Sequence, residues 1–357
     1  MARRSRRPRG RAIDGIVIVD KVLGASSNEV LQRVKRIFNA AKAGHTGSLD
    51  PLATGVLPIC LGEATKFSQY LLDSDKSYRT TMKMGVQTTT GDREGEVVEE
   101  RPVAVTRGDV EAILDQFRGD IQQVPSMFSA LKHNGKPLYE YAREGIEVER
   151  PSRQVSIHRL ELLDFDGDEC VLEVECSKGT YIRTLVEDIG LALGCLGHVA
   201  ELRRLKAGPY TEHQSYSLED LEAMRDQGRN AALAGMDASE YSELIAQAEE
   251  IGRENLDDDQ LLRLRELAKV RNKAGDKAID GVLLSLDSAV SDWPQVKLGE
   301  ASSFYVSQGN PVQVPQAPTS GHVRIYGTAD GVEGLCFLGI GEIDDDGRVA
   351  PKRLIRG

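Results

Sequence analysis

The chain reads as an α+β protein rather than a doubly wound one, and three observations say so. Strand-like runs occur at Gly15–Asp20, Tyr78–Met84, Val155–Phe165 and Cys170–Cys176. Helical periodicity occurs between them: Val30, Leu31, Val34, Ile37 and Phe38 recur at helical spacing, and Asp109–Phe117 and Ile182–Leu193 look helical. Strands and helices do not alternate in a regular strand–helix repeat, which a parallel doubly wound sheet would require. Ser26, Ser27 and Asn28 offer capping oxygens ahead of the first helix. No internal repeat is visible.

With 357 residues the chain is long enough for two or three domains. Its 40% hydrophobic and 28% charged content suits a soluble globular protein. No apolar run approaches the roughly 20 residues of a membrane span. The apolar Ile16–Val19 is too short for a signal-peptide core, so a cytoplasmic location is expected. The five cysteines (60, 170, 176, 195 and 336) are odd in number and form no Cys-x-x-Cys pair. Neither a disulfide framework nor a zinc site is implied, and no cofactor or metal motif is present.

A net charge of −11 argues against nucleic acid as a partner only until its distribution is read. Residues 1–70 hold twelve Lys/Arg against five Asp/Glu, whereas residues 237–259 hold one Arg against nine Asp/Glu. Phosphates are neutralised where they touch, so local basic surface decides. Residues 1–11, MARRSRRPRGR, contain six arginines and read as a disordered basic arm. A main unit is expected over 12–225. Residues 226–282 change character: they contain no proline, and Leu256, Leu261, Leu264 and Leu267 suggest an amphipathic helical pair, inserted and without chemistry of its own. Residues 283–357 follow as a linker and a small β-rich domain, with strands expected at Phe304–Val306, Val323–Tyr326 and Leu335–Ile340 and a hairpin turn at Asp344–Gly347.

The most informative stretch is Gly44–Lys66, GHTGSLDPLATGVLPICLGEATK. Glycines at 44, 47, 55 and 62 and prolines at 51 and 58 mark a shaped loop rather than a regular helix. Asp50 lies in a nearly charge-free run between His45 and Glu63. An unpartnered carboxylate is costly to bury. Asp50 is therefore either a turn-starter at the surface or a buried acid with its own cation. The stretch resembles the signature of the bacterial TruB family, the tRNA pseudouridine-55 synthases, in which the aspartate of GHTG-x-LDPLATG is catalytic. The resemblance runs from about Asp14 to about Tyr216 and resumes from about Asp287. It lapses between them, where the family pattern has a shorter connection.

The resemblance implies a mixed, largely antiparallel catalytic sheet of pseudouridine-synthase type and a PUA-like C-terminal domain. It implies isomerisation of a T-loop uridine in tRNA, in which the N1–C1′ bond breaks, the uracil turns and C5 bonds to C1′. The matching residues are Asp50 as the catalytic carboxylate, Arg183 (in GTYIRT) as its counter-ion and Tyr78 stacking on the base. His45 fills the gap left by the extruded nucleotide. Tyr181 and Leu202 line the uridine pocket, and Lys21 supports it. A guanidinium suits the counter-ion role because it can grip a carboxylate with two parallel hydrogen bonds and keeps its proton. Residues 121–150, where cations at 132, 136 and 143 are interspersed with aromatics at 128, 139 and 141, match an RNA-binding thumb. Whether the aspartate adds to C6, attacks C1′ or removes a C2′ proton stays open. The T-arm of tRNA is the expected partner, with no cofactor, no protein partner and a monomeric state. Rival readings are a tRNA-folding helper whose chemistry is secondary, a guide-RNA-dependent synthase, and a glycoside hydrolase. The last is weakest, since no second carboxylate pairs with Asp50 in a recognisable motif.

Overall fold

A computed structural model of the chain describes residues 10–234, 238–252, 255–329 and 331–355. Nearly all of the basic arm, residues 1–9, lies outside them. Its last residue, Arg11, is held in place, donating from Nη1 to Asp280 Oδ2 at 2.7 Å and from Nε to the Phe38 carbonyl at 2.8 Å.

The first unit runs β1 (Gly15–Lys21), α1 (Ser27–Ile37), β2 (Ala43–His45), β3 (Ala53–Leu61), α2 (Ser68–Asp73), β4 (Lys76–Met84), β5 (Val86–Thr88), β6 (Val97–Glu100), α3 (Arg107–Leu114), β7 (Gly119–Gln123), β8 (Lys132–His133), β9 (Lys136–Pro137), α4 (Leu138–Arg143), β10 (Arg153–Asp166), β11 (Glu169–Cys176), α5 (Ile182–Ala192), β12 (Gly197–Ala207) and β13 (Tyr210–Thr211). Its main sheet has the order β1-β3-β12-β4-β11-β10-β7, with β2 added on β3 and β13 on β12. Within it only β3 and β12 pair in parallel. The sheet is mixed and largely antiparallel, as expected.

Helix α1 starts on a capping box: Ser26 Oγ accepts from Glu29 N at 3.2 Å, and the Glu29 carboxylate accepts from Ser26 N at 2.7 Å. That leaves Ser27 free for another task, described below. The apolar stripe of α1 (Val30, Leu31, Val34, Ile37) is buried on the sheet together with the inner faces of α3 and α5. The opposite side of β1 and β3 (Ile16, Ile18, Val56, Cys60) packs with Phe67, Leu71 and Tyr210 and reaches Val290 and Ile340 near the C-terminus.

Glycine is required at Gly55. Its φ is +97°, and a Cβ there would stand 2.2 Å from the Arg204 carbonyl oxygen. β3 is pressed between β1 and β12 at this point, with Gly55 opposite Lys21 on one side and Arg204 on the other.

The segment expected as a helical pair forms three helices: α6 (Leu218–Ala234), α7 (Ala238–Ile251) and α8 (Asp258–Asp280). Helices α6 and α8 cross closely because Gly228 faces Ala278 and Gly275 faces the Arg229 stem; a Cβ would meet them at 2.5 and 2.6 Å. α6 is joined to α1 by Arg33, whose Nε and Nη2 donate to Glu222 at 2.9 and 2.8 Å. Leu264 and Leu267 of α8 are buried, as the periodicity predicts. Among the described residues no helix is long and apolar enough to cross a membrane.

The C-terminal unit is a four-stranded sheet, β14 (Gln295–Lys297), β15 (His322–Gly327), β16 (Cys336–Ile343) and β17 (Val349–Leu354), with helix α9 (Glu300–Ser307) beside it. Here the expectation of a strand at Phe304–Val306 is wrong. That segment is helical. Val306 and Ser303 are buried while Phe304 and Tyr305 stay exposed, and Glu300 sits favourably in the first turn. Packing of one helical face outweighs the strand preference of three residues.

Gly55→Ala is expected to destabilise the protein by about 3 kcal/mol or more, from backbone strain and overpacking together. In a thermal melt this means a fall of roughly 6–12 °C, whereas Gly24→Ala, whose Cβ would meet nothing within 4 Å, should lose much less.

Candidate active site

Asp50 opens a tight turn between β2 and β3, closed by the Ala53 amide donating to the Asp50 carbonyl at 3.0 Å. Three features hold this turn from below. Ser27 Oγ accepts from Leu49 N at 2.7 Å and donates to Leu49 O at 3.1 Å. Gly24 N donates to the Pro51 carbonyl at 2.9 Å. Lys21, at 0% exposure, sends its ammonium to the carbonyls of Val22, Pro51 and Ala53 at 3.1, 3.2 and 2.5 Å. Burial lowers the Lys21 pKa to about 8, against the pull of Asp50. The lysine thus acts on the backbone of the loop rather than on the Asp50 carboxylate directly.

Arg183 lies in the first turn of α5, at 5% side-chain exposure, with Nη2 2.9 Å from Asp50 Oδ2. The expected partner is in place. The grip is not the parallel fork, however, because the guanidinium is shared. Nη1 donates to the Thr90 carbonyl at 3.0 Å and lies 3.5 Å from Asp92 Oδ2; Nη2 also donates to the Phe128 carbonyl at 2.9 Å. A cation at a helix N-terminus faces the positive end of the helix dipole. Two carboxylates offset that here. Asp92 is itself fixed, its Oδ1 accepting from Thr90 Oγ1 at 2.6 Å and Glu94 N at 3.1 Å.

The Asp50 side chain is still 40% exposed, enough for a molecule in solution to reach it. The protein around it nevertheless desolvates the carboxyl and pushes its pKa above the ordinary value; the Arg183 and Lys21 charges oppose this and the Asp92 charge adds to it. Asp50 is therefore a desolvated carboxyl with one main cation set against that desolvation.

Tyr78 on β4 lies half-buried opposite Arg204 of β12 and Val174 of β11. Burial raises its phenol pKa, Arg204 lowers it, and the Asp50 charge is also felt. Leu202, 8% exposed, stands between Thr80 and Ala53 in the register. Tyr181 caps the start of α5. The Gln123 amide brackets its peptide, accepting from Tyr181 N at 3.0 Å and donating to Tyr181 O at 3.1 Å. The Arg153 guanidinium covers one ring face at 4.8 Å from the centroid. His45 ends β2 with a buried Nδ1 that has no hydrogen-bond partner among the described residues. Burial and Arg204 both lower its pKa, favouring the neutral ring.

In the 121–150 segment the cations turn onto the segment's own rings: Lys136 sits 4.7 Å from the Tyr141 centroid and Arg143 5.4 Å from that of Tyr139. Sequence reasoning missed Asp92, Gln123 and Arg204. Arg204 was within reach of it, because a residue two along a strand from Leu202, which the resemblance puts at the pocket, points to the same face. Asp92 and Gln123 carry no local signal. Among the described residues no group of three or more His, Cys, Asp or Glu is arranged to hold a metal ion.

Comparisons with known proteins bear on the fold and the family. The fold is that of pseudouridine synthases. The archaeal box H/ACA sRNP Nop10-Cbf5 complex matches 95% of this chain and 85% of that one at a TM-score of 0.61 and 23% identity. A Cbf5-Nop10-Gar1 complex matches 96% and 84% at a TM-score of 0.63 and 22% identity. Family models match residues 35–182 (TruB family pseudouridylate synthase, N terminal domain), 183–251 (tRNA pseudouridylate synthase B C-terminal domain) and 294–355 (pseudouridine synthase II TruB, C-terminal). The tRNA pseudouridine synthase B of Aeromonas salmonicida (strain A449) is 52% identical over 99% of this chain and 97% of its own length. That of Pseudomonas fluorescens (strain Pf0-1) is 50% identical over 97% of each. The chain belongs to the TruB family. The helical segment, where the sequence resemblance lapses, falls inside these alignments.

Carboxyl resonances read by NMR should show Asp50 titrating above the ordinary carboxylate range. Arg183→Met should move it higher, and Asp92→Asn should move it lower if Arg183 stays in place. A raised native pKa means that the native state holds this proton more tightly than the unfolded chain, so stability falls as pH rises from the unfolded value through the native one. Asp50→Asn should therefore raise Tm at neutral pH, and the gain should vanish in acid.

Proposed function

We propose that this protein isomerises the T-loop uridine of tRNA, position 55, to pseudouridine, with Asp50 as its catalytic carboxylate. The observation that carries the reading is the 2.9 Å contact between Asp50 and a guanidinium encoded far downstream, in a chain half identical to enzymes named tRNA pseudouridine synthase B. The reaction is an internal transfer. The N1–C1′ bond breaks, the uracil turns, C5 bonds to C1′, and the C5 proton is lost while N1 gains one. It needs an ionised carboxylate beside the nucleoside and no electron exchange.

In this reading Arg183 keeps Asp50 charged against desolvation and Tyr78 stacks on the base. Tyr181 and Leu202 bound the pocket, and Lys21 holds the Asp50 turn. His45, neutral and flat, takes the place of the extruded base. Residues 12–225 form the catalytic domain with a thumb over 121–150 that meets the T-arm. Residues 226–282 are a helical appendage, and 283–357 carry the PUA-like domain. Phe128, whose carbonyl Arg183 grips, links the thumb to the catalytic pair. We place the protein in the cytoplasm with tRNA as its partner, acting as a monomer and without a guide RNA. Assistance to tRNA folding is a second role that the basic N-terminus supports, and it would persist without Asp50.

A T-arm hairpin tritiated at C5 of its target uridine tests this. Wild-type protein alone should release the label, and Asp50→Asn should do so at least about a thousandfold more slowly. A wild type that releases none, or an Asp50→Asn variant as fast as wild type, overturns it.

A further inference from the structure

Arg204 is the largest fully buried side chain among the described residues, at 1% exposure. Its neighbours in kind have acids: Arg183 has Asp50 and Asp92, and Arg203 has Asp20 and Glu212. Arg204 has no carboxylate within 4 Å among the described residues. A lone buried charge is costly, and an apolar side chain of similar volume would serve packing better. Its partners are oxygens of the site. Nε donates to the Val56 carbonyl at 2.7 Å, and Nη2 reaches the Gly47 carbonyl at 3.4 Å. Gly47 lies midway between His45 and Asp50, and Tyr78 faces Arg204 across the β4–β12 register. The charge is felt by Tyr78, His45, Lys21 and Lys76 alike. Three of the four groups around it are thus residues of the proposed site.

We infer that Arg204 is a positioning residue for the isomerisation: it ties the place of Tyr78, its partner across the β4–β12 register, to the loop carrying His45 and Asp50. The same cation makes negative charge at the Tyr78 oxygen less costly. This rests on the function proposed above, and it assigns work to a side chain that never touches substrate.

The test is a double-mutant cycle on the full-length chain, with single-turnover rate at saturating T-arm RNA, RNA affinity and Tm read together. Arg204→Met should fold, keep RNA affinity within about threefold and lose roughly thirtyfold or more in rate. In a Tyr78→Phe background the same change should cost less than about threefold, because the two residues act as a unit. Arg204→Lys, which keeps the charge without the fork, should recover part of the rate lost in Arg204→Met. If Tyr78→Phe alone leaves no measurable rate, that recovery decides: at least about threefold supports the inference and none overturns it. If Arg204→Met does not fold, the Lys variant is read alone, where lost rate with kept affinity supports the role and an unchanged rate overturns it. A folded Arg204→Met at wild-type rate, or equal losses in both backgrounds, also overturns it. Wild type and Asp50→Asn run alongside, so a failure of the functional reading shows as an inactive wild type and is distinguished from a failure of this one.

Discussion

The structure turns on a guanidinium with nowhere to go. Arg183 is nearly sealed from solvent, at the unfavourable end of a helix, and it spends its donors on segments that the chain order keeps apart: the Asp50 turn, the Thr90–Asp92 turn and the Phe128 carbonyl. Each of these segments is irregular backbone. Without the cation they would share no reason to meet. With it, a carboxylate that the surrounding protein would otherwise neutralise has a strong partner. One interaction therefore ties the loops together and opposes neutralisation of the acid.

Around that pair the protein uses cations to hold backbone. Lys21, Lys76 and Arg204 are all buried, and all donate to main-chain carbonyls of loops and strand ends. Carbonyl oxygens at a turn have no ladder partner, so a buried ammonium or guanidinium that satisfies several of them fixes the turn as a unit. The motif loop is held this way on one side and by the Ser27 hydroxyl on the other. Gly55 completes it by letting β12 come close enough to bring Leu202 beside Ala53 and Arg204 beside Gly55 itself.

The remaining units have small apolar clusters of their own and also share those of the first unit. The C-terminal sheet has its own core of Val296, Val306, Val323 and Ile325, and meets the first unit where Phe337 and Trp293 pack against Phe67 and Tyr70. Helices α7 and α8 share a small cluster of Ala248, Leu256 and Leu264, while α6 and α8 rely on their two facing glycines. Leu218 and Leu221 of α6 and Ile279 of α8 also join the main core that holds Leu49 and Leu52 on either side of the Asp50 turn, in keeping with a helical segment that supports the fold.

Much of this was legible in the chain itself. Strands β1, β4, β10 and β11, the helix opening at Ser27, the leucine stripe in α8 and the turn at Asp50 follow from periodicity, caps and Gly/Pro placement, because those signals act over a few residues; β3 (Ala53–Leu61), inside the stretch expected as a shaped loop, and β12 were not foreseen. The Phe304–Val306 segment misled for the same reason: short-range preference spoke for a strand, and burial of Val306 decided for a helix. Sequence also determined, through its motifs, which aspartate and which arginine should pair. Only the tertiary structure decided how that arginine divides its hydrogen bonds, that Asp92 and Phe128 share it, and that Arg204 stands uncompensated beneath Tyr78. Those facts depend on which backbones come within a hydrogen bond of one another across sheet and loops, and no local pattern encodes such distances.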